Sequence, residues 1–467
     1  MGGLDSGSPF KPFYKRLVRT RSKVPAFRAM DLLCNTYSTA SDDEDERLSI
    51  PSSKRFRPQN PPLQTQPTSR FRPKYSSNPQ KREAPIPIAG RYVSKRERAI
   101  SAADSRVPDL ALSSTIIPSP DAFFLSSAVG SISDSDLPCD ILSSLRRQAK
   151  GKTQLGQIPE RLSVALNGHT KAVNSIQWSP THAHLLASAG MDHTVCIWNV
   201  WSTDQKKARV FSYHNAAVKD VKWSQQGLSL LSCGYDYSSR LTDVEKGVET
   251  QIFKEDQVVG VIKFHPGNSN LFLSGGSKGL LRVWDIRVGK VVQEYIRGLG
   301  SILDIEFSID TKHFISSSDV SRGNVSEKSI IVWDYLRQVP LSNQVYVEAY
   351  TCPCVRYHPF DPFFIAQSNG NYIAIFSSSP PFKLDKYKRY ENHGVSGFPI
   401  KCSFSLDGEK LASGSSDGCI YFYTCRSTKL LRKIQAFEEA CIDVAFHPRM
   451  PNVIASCSWN GDISVFE

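Results

Sequence analysis

The sequence predicts an all-β chain, a seven-bladed β-propeller with a disordered N-terminal extension, and three observations carry that reading. The first is a recurring aromatic. Trp178, Trp223, Phe264, Phe307, Tyr357, Phe404 and Phe446 stand 45, 41, 43, 50, 47 and 42 residues apart, a period that fits one four-stranded unit repeated seven times. The second is alternation. Ile176, Val221, Ile262, Ile305, Val355 and Val444 each precede a marker by two residues, as in a strand with one face toward a core. The third is a break in composition: residues 1–150 hold 16 of the 28 prolines and none of the 7 tryptophans.

That break sets the domains. Residues 1–150 carry 24 Lys+Arg against 15 Asp+Glu, whereas the remainder is nearly balanced at 33 against 30, within a net charge of +12 over 467 residues. A basic, Pro- and Ser-rich stretch without aromatic periodicity cannot bury enough apolar surface to offset its ordering entropy. Residues 1–156 are therefore expected to be a mostly disordered extension and 157–467 the propeller. No run of about 18 apolar residues is present, so no membrane span is expected, and no secretory signal opens the chain. An intracellular protein follows. Nine of the eleven cysteines fall on or beside predicted strands, where a thiol behaves as a small buried hydrophobe, so they are expected to be reduced. Cys352 and Cys354 with His358 offer metal-ligating types but lack a fourth ligand at zinc spacing. In the propeller neither a phosphate loop nor a carboxylate cluster occurs, so no cofactor, no metal and no enzymatic activity are expected.

Within the extension, Met1-Gly2 with Ser6 fits only the minimal myristoylation pattern. Lys11 to Arg28 holds seven basic residues and no acidic one, a pattern that suits a transit-like presequence, a nucleic-acid-facing arm or an ordinary solvated stretch. Ser41 precedes the acidic run Asp42 to Glu46, a composition suited to an acidic-directed phosphosite. Four basic clusters follow, at Lys54–Arg57, Arg70–Arg72, Lys81-Arg82 and Lys95–Arg98. Their density points to nuclear import or to contact with RNA phosphates, with a cytoplasmic location as the alternative. Apolar islands at Ile116-Ile117 and Phe123-Phe124 could dock on a partner or on the folded part.

The first repeat, Gly168 to Asn199, resembles a WD40 repeat. Gly168-His169 opens it, Asp192 occupies a tight turn, and Trp198-Asn199 stands where that family has Trp-Asp. Such a repeat implies a buried relay: the Trp198 indole donates to Ser188, Ser188 bonds His169, and the other His169 nitrogen faces Asp192. The same residue types could suggest a hydrolase triad, but repeat spacing accounts for them as architecture. The second unit keeps His214, Ser232 and Asp236, with Thr242 in place of Trp. The third keeps Trp284-Asp285 but has Glu255 at the His position and Lys278 at the turn-Asp position. The fourth keeps Trp333-Asp334. Its middle turn swells over residues 318–329. The fifth turns at Asn369-Gly370-Asn371 with Phe376 for Trp. The sixth recovers His393, Ser413 and Asp417 with Tyr423 for Trp, and the seventh has Ser456, Asn460 and Phe466.

The final unit has only three strands before Glu467, which leaves an edge open to association. Residues 161–166, RLSVAL, alternate suitably to supply the fourth strand and close the ring. A monomeric propeller is expected.

Beyond the repeat class, LTDVEKG at 241–247, VWDIRVGK at 283–290, AQSNGNYIAIFS at 366–377 and KRYENHGVSGFPIKC at 388–402 resemble the WD repeat-containing protein 25 family. That family is itself similar to the pre-mRNA-processing factor 17 group. The resemblance implies a non-catalytic nuclear scaffold in a multi-protein complex, associated with splicing. A competing reading comes from FLSGGSKGLLRVWDIR at 272–287, similar to the box by which some WD40 proteins join cullin-4 ubiquitin ligases as substrate receptors. There Trp284 and Asp285 precede Arg287, which could bond a carboxylate on a ligase adaptor. Lys278 breaks that box. A second candidate surface is PPFKLDKYKRYEN at 380–392, expected to be a loop. Its Lys383, Lys386, Tyr387, Lys388, Arg389 and Tyr390 combine charge with aromatic hot-spot types, and a protein partner ranks above RNA there.

Overall fold

A computed structural model of the chain describes residues 127–146, 158–227, 229–319, 329–344 and 350–467. The myristoylation pattern, the basic and acidic clusters, the apolar islands and most of the swollen turn at 318–329 lie outside the described residues.

Seven antiparallel sheets follow one another along the chain, and their first strands form a ring. These strands are Val173–Trp178, Val218–Trp223, Val259–His265, Ile302–Phe307, Cys354–Tyr357, Cys402–Phe404 and Cys441–Phe446. Each contacts the first strand of the next blade, and that of blade seven contacts that of blade one. The chain is a seven-bladed β-propeller. All seven aromatic markers sit on these strands, at or next to the C-terminal end.

The position of a strand in its blade explains its composition. Leu185–Gly190 and Val195–Asn199 are buried at every residue because neighbouring blades cover both faces, and they read as LLASAG and VCIWN. The outermost strand Val248–Lys254 alternates between exposed residues and ones that are partly or, at Phe253, fully buried. Apolar clusters bridge adjacent blades: Val261 and Leu273 of blade three pack with Ile305, Phe314 and Trp333 of blade four.

Closure uses both ends of the repeat region. Leu162–Leu166 pairs with Ile463–Phe466, setting Leu162 opposite Phe466 and Leu166 opposite Ile463. Beyond this ladder, the Glu160 and Arg161 N–H groups each donate to the Glu467 carbonyl at 2.9 Å, and Glu467 N–H donates to the Arg161 carbonyl at 2.9 Å. Blade seven thus obtains its outer strand from residues that precede blade one.

Two local expectations fail. Residues 127–146, placed in the extension by composition, form a strap on the propeller. Ser127–Ala128 pairs with Val210 and Arg209 as a fifth strand of blade one. Helix α1, Cys139–Arg146, follows. Asn199 Nδ2 donates to the Ser131 and Ser133 carbonyls at 3.2 and 3.0 Å, and Arg449 Nη1 of blade seven donates to the Leu145 carbonyl at 3.3 Å. Two buried leucines, Leu137 and Leu145, are the anchors, too few to show as periodicity. The second failure is 380–392. It is no loop, because Leu384–Tyr390 is the outermost strand of blade five.

Candidate interaction site

The polar relay of blade one is present in full geometry. His169 Nδ1 lies 3.0 Å from both Asp192 oxygens, His169 Nε2 lies 2.7 Å from Ser188 Oγ, and the Trp198 indole donates to Ser188 Oγ at 2.8 Å. Asp192 also accepts from Thr170 N–H at 3.0 Å and Thr194 Oγ at 2.7 Å. Burial alone would lower the His169 pKa, but the Asp192 carboxylate overrides it and raises the value to about 9. Burial likewise opposes ionisation of Asp192, and the His169 bond holds that carboxyl well below its usual range. Ser188 is fully buried and already bonded by Trp198. A hydroxyl sealed in this way cannot reach a substrate, so the triad geometry is structural.

The other blades depart from that arrangement in ways that follow their substitutions. In blade two His214 Nδ1 lies 3.0 Å from Asp236 and Nε2 lies 2.8 Å from Ser232 Oγ, and Arg240 joins Asp236 at 3.2 Å. Thr242 has no indole to extend the relay. In blade three the charges are reversed. Glu255 accepts from Ser274 Oγ at 2.6 Å and from the Trp284 indole at 3.3 Å, while Arg282 reaches Glu255 at 3.4 Å. Lys278, standing where Asp is expected, pairs with Asp256 at 3.1 Å. The acid at the His position is thus matched by Arg282 on the following strand, and the turn cation Lys278 by Asp256. Blade four retains the Trp333 bond to Ser316 at 2.9 Å.

Blade six corrects the sequence reading. His393, Ser413 and Asp417 form no relay: His393 Nδ1 lies 2.9 Å from the Tyr423 hydroxyl, Ser413 Oγ donates to the Gly414 carbonyl at 2.8 Å, and Asp417 accepts from Lys433 at 2.8 Å and Tyr421 at 2.9 Å. The cause is Tyr423. Its hydroxyl lies within hydrogen-bond distance of the imidazole and donates to the Glu391 carbonyl at 2.8 Å. Burial accordingly lowers the His393 pKa to about 4, with only a distant pull from Asp417.

A second polar system lies on the innermost strands. Asp220, Asp304 and Asp443 each stand three residues before an aromatic marker, and each accepts a backbone N–H from the following blade: Ile262 at 3.4 Å, Val355 at 2.9 Å and Ile176 at 3.1 Å. Lys401 of blade six lies 3.6 Å from Asp220 of blade two and 3.6 Å from Asp443 of blade seven. Burial would raise the Asp220 pKa, but Lys222 and Lys401 hold it well below the usual carboxylate range. These buried charges tie blades together across the ring. The recurring carboxylate at the third position before the marker was the signal for them in the sequence.

Among the candidate partner-binding residues, the structure separates core from surface. Trp284, Asp285 and Tyr390 are buried, which corrects their assignment to a partner surface. Arg287 is exposed, yet its guanidinium already forms a fork with Asp285, Nη2 to Oδ2 at 2.7 Å and Nε to Oδ1 at 3.1 Å. The Nε–Nη2 edge of the guanidinium is therefore engaged within the chain. Lys383, Lys386, Tyr387, Lys388 and Arg389 are exposed on blade five. Arg389 pairs with Glu391 and lies 5.1 Å from the Tyr372 ring centre.

Comparison with known proteins agrees with this architecture. The family model described as WD domain, G-beta repeat, matches residues 160–199, 205–243 and 385–424. These are the first, second and sixth units, the three that carry His at the relay position. Mouse WD repeat-containing protein 25 is 38% identical over 311 residues, covering 66% of this chain and 58% of that protein. Human pre-mRNA-processing factor 17 is 31% identical over 314 residues, covering 66% and 52%. Its Saccharomyces cerevisiae counterpart is 28% identical over 313 residues, covering 66% and 67%. The chain thus spans about half to two thirds of the length of these relatives.

Proposed function

We propose that this chain, a WD40-repeat propeller, is a non-catalytic scaffold of the nuclear pre-mRNA splicing machinery. The observation that carries the reading is the way the polar residues are used. His169, Ser188 and Asp192 bond one another, the axial aspartates bond neighbouring blades, and Arg287 bonds Asp285. Interaction is left to exposed side chains on the outer strands. Similarity to proteins named for pre-mRNA processing supplies the class of complex, and the basic clusters of residues 54–98 suit nuclear import and RNA contact.

The test is affinity purification of the full chain from nuclear extract, using purified protein so that import is not a variable. Splicing components are expected to be enriched and to remain so with Arg287→Ala. Neutralising the four basic clusters is expected to weaken that enrichment. Recovery of a ubiquitin-ligase adaptor by the natural chain but not by Arg287→Ala, with no splicing components in either, would reverse the assignment.

A further inference from the structure

We infer that residues 383–389 of blade five form a preorganised knob that docks into an apolar hollow rimmed by carboxylates on a partner protein. The inference rests on the scaffold reading and names the chemistry of one of its contacts.

The knob arises from a mismatch in strand register. Ile373 faces Tyr390, Ala374 faces Arg389 and Phe376 faces Leu384, so Asp385 to Lys388 have only Ile375 across from them and arch outward. Asp385 fixes the arch. Its Oδ1 accepts from Tyr387 N–H at 2.9 Å and Lys388 N–H at 3.2 Å. Both ends are anchored, by buried Phe382 on one side and by buried Tyr390, packed edge-on to Tyr423 at 5.4 Å, on the other. At the apex Tyr387 is 97% exposed, with exposed Lys386 and Lys388 beside it. An aromatic side chain held outward on a fixed backbone loses little entropy on binding, which is the property of a hot spot.

Charge selects the partner. Asp385 is engaged with the backbone and Glu391 with Arg389, whereas among the described residues Lys383, Lys386 and Lys388 form no ion pair. Three ammonium groups without an ion pair thus flank Tyr387 in the segment, against the single carboxylate of Asp385. Strand addition does not suit the arch, because two of its N–H groups are already bonded to Asp385. A single-stranded RNA is also a poor fit, since it needs successive stacking rings, and the second aromatic of the segment, Tyr390, is buried. An apolar hollow that takes the Tyr387 ring and offers a hydrogen-bond acceptor to its hydroxyl, with carboxylates for the flanking lysines, matches these exposed groups.

A zero-length carbodiimide, which joins a lysine amine only to a carboxylate in contact with it, reads this arrangement directly. The full chain is bound to nuclear-extract proteins treated with ribonuclease, coupled, and the linked peptides are sequenced. The expected product is an amide between Lys386 or Lys388 and an Asp or Glu of a partner, at least tenfold less abundant with Tyr387→Ala, which leaves both lysines in place. The melting temperature of that variant is expected to be unchanged, because the side chain is exposed. No such link, a link undiminished by Tyr387→Ala, or association abolished by the ribonuclease would overturn the proposal. Splicing components scored in the same eluate separate the two readings: their presence without the link rejects the knob alone, and their absence rejects the scaffold assignment.

Discussion

At the scale of single residues, His169 shows how a charged group can stabilise a blade from a buried site. Removing its imidazole leaves Asp192 and Ser188 short of a partner in a water-poor site. His169→Ala is therefore expected to lower stability by about 1–3 kcal/mol, measured by thermal or denaturant unfolding. The effect depends on pH in a definite direction. The folded pKa is about 9 against an unfolded value of 6.5, so the contribution is complete below about pH 6.5 and is lost as pH rises through about 9. The stability gap between the natural chain and His169→Ala should narrow across that window. A gap that stays constant would show that His169 is not held charged by Asp192. This relay was legible from the sequence because Gly-His, Ser, Asp and Trp recur at repeat spacing. The blade-six relay was misread for an equally local reason. Tyr423 stands at the Trp position, but its hydroxyl is a hydrogen-bonding group that meets His393.

At the scale of one element, blade three shows that the relay is a matter of charge complementarity more than of residue identity. Glu255 and the Lys278–Arg282 side reverse the polarity seen in blade one while the bond from Trp284 to Ser274, at 3.1 Å, is retained. Glu255→His alone should destabilise, since it sets an imidazole beside Arg282 and removes a buried acceptor. Adding Lys278→Asp should recover part of the loss, giving a coupling of about 0.5–3 kcal/mol in a double-mutant cycle. Strict additivity of the two changes would contradict the reversed-polarity description. Both substitutions are visible in the sequence but their connection is not, because the Asp256 and Arg282 contacts that join the two positions depend on the fold. The strap at 127–146 was hidden for a different reason. Its hold on the propeller comes from two buried leucines and from backbone carbonyls bonded by Asn199 and Arg449, and carbonyl contacts leave no mark on composition.

At the scale of the molecule, seven blades act together only if the ring is closed. The markers and their spacing made the number of blades legible, and alternation in 161–166 identified the closing strand. The axial charge system was legible only in part. Its aspartates recur at one position, but Lys401 meets Asp220 and Asp443 from blades far apart in sequence. Closure is the claim on which the placement of every surface depends, including the knob on blade five. It is tested most directly by amide hydrogen exchange at Ile463–Phe466 in two truncations, one beginning at residue 158 and one beginning at residue 168. The first keeps Leu162–Leu166 and should leave the strand protected. The second removes the closing strand, so exchange at those amides should accelerate and the protein should associate as its concentration rises. Equal protection of Ile463–Phe466 in the two truncations, with neither associating, would contradict the closed ring described here.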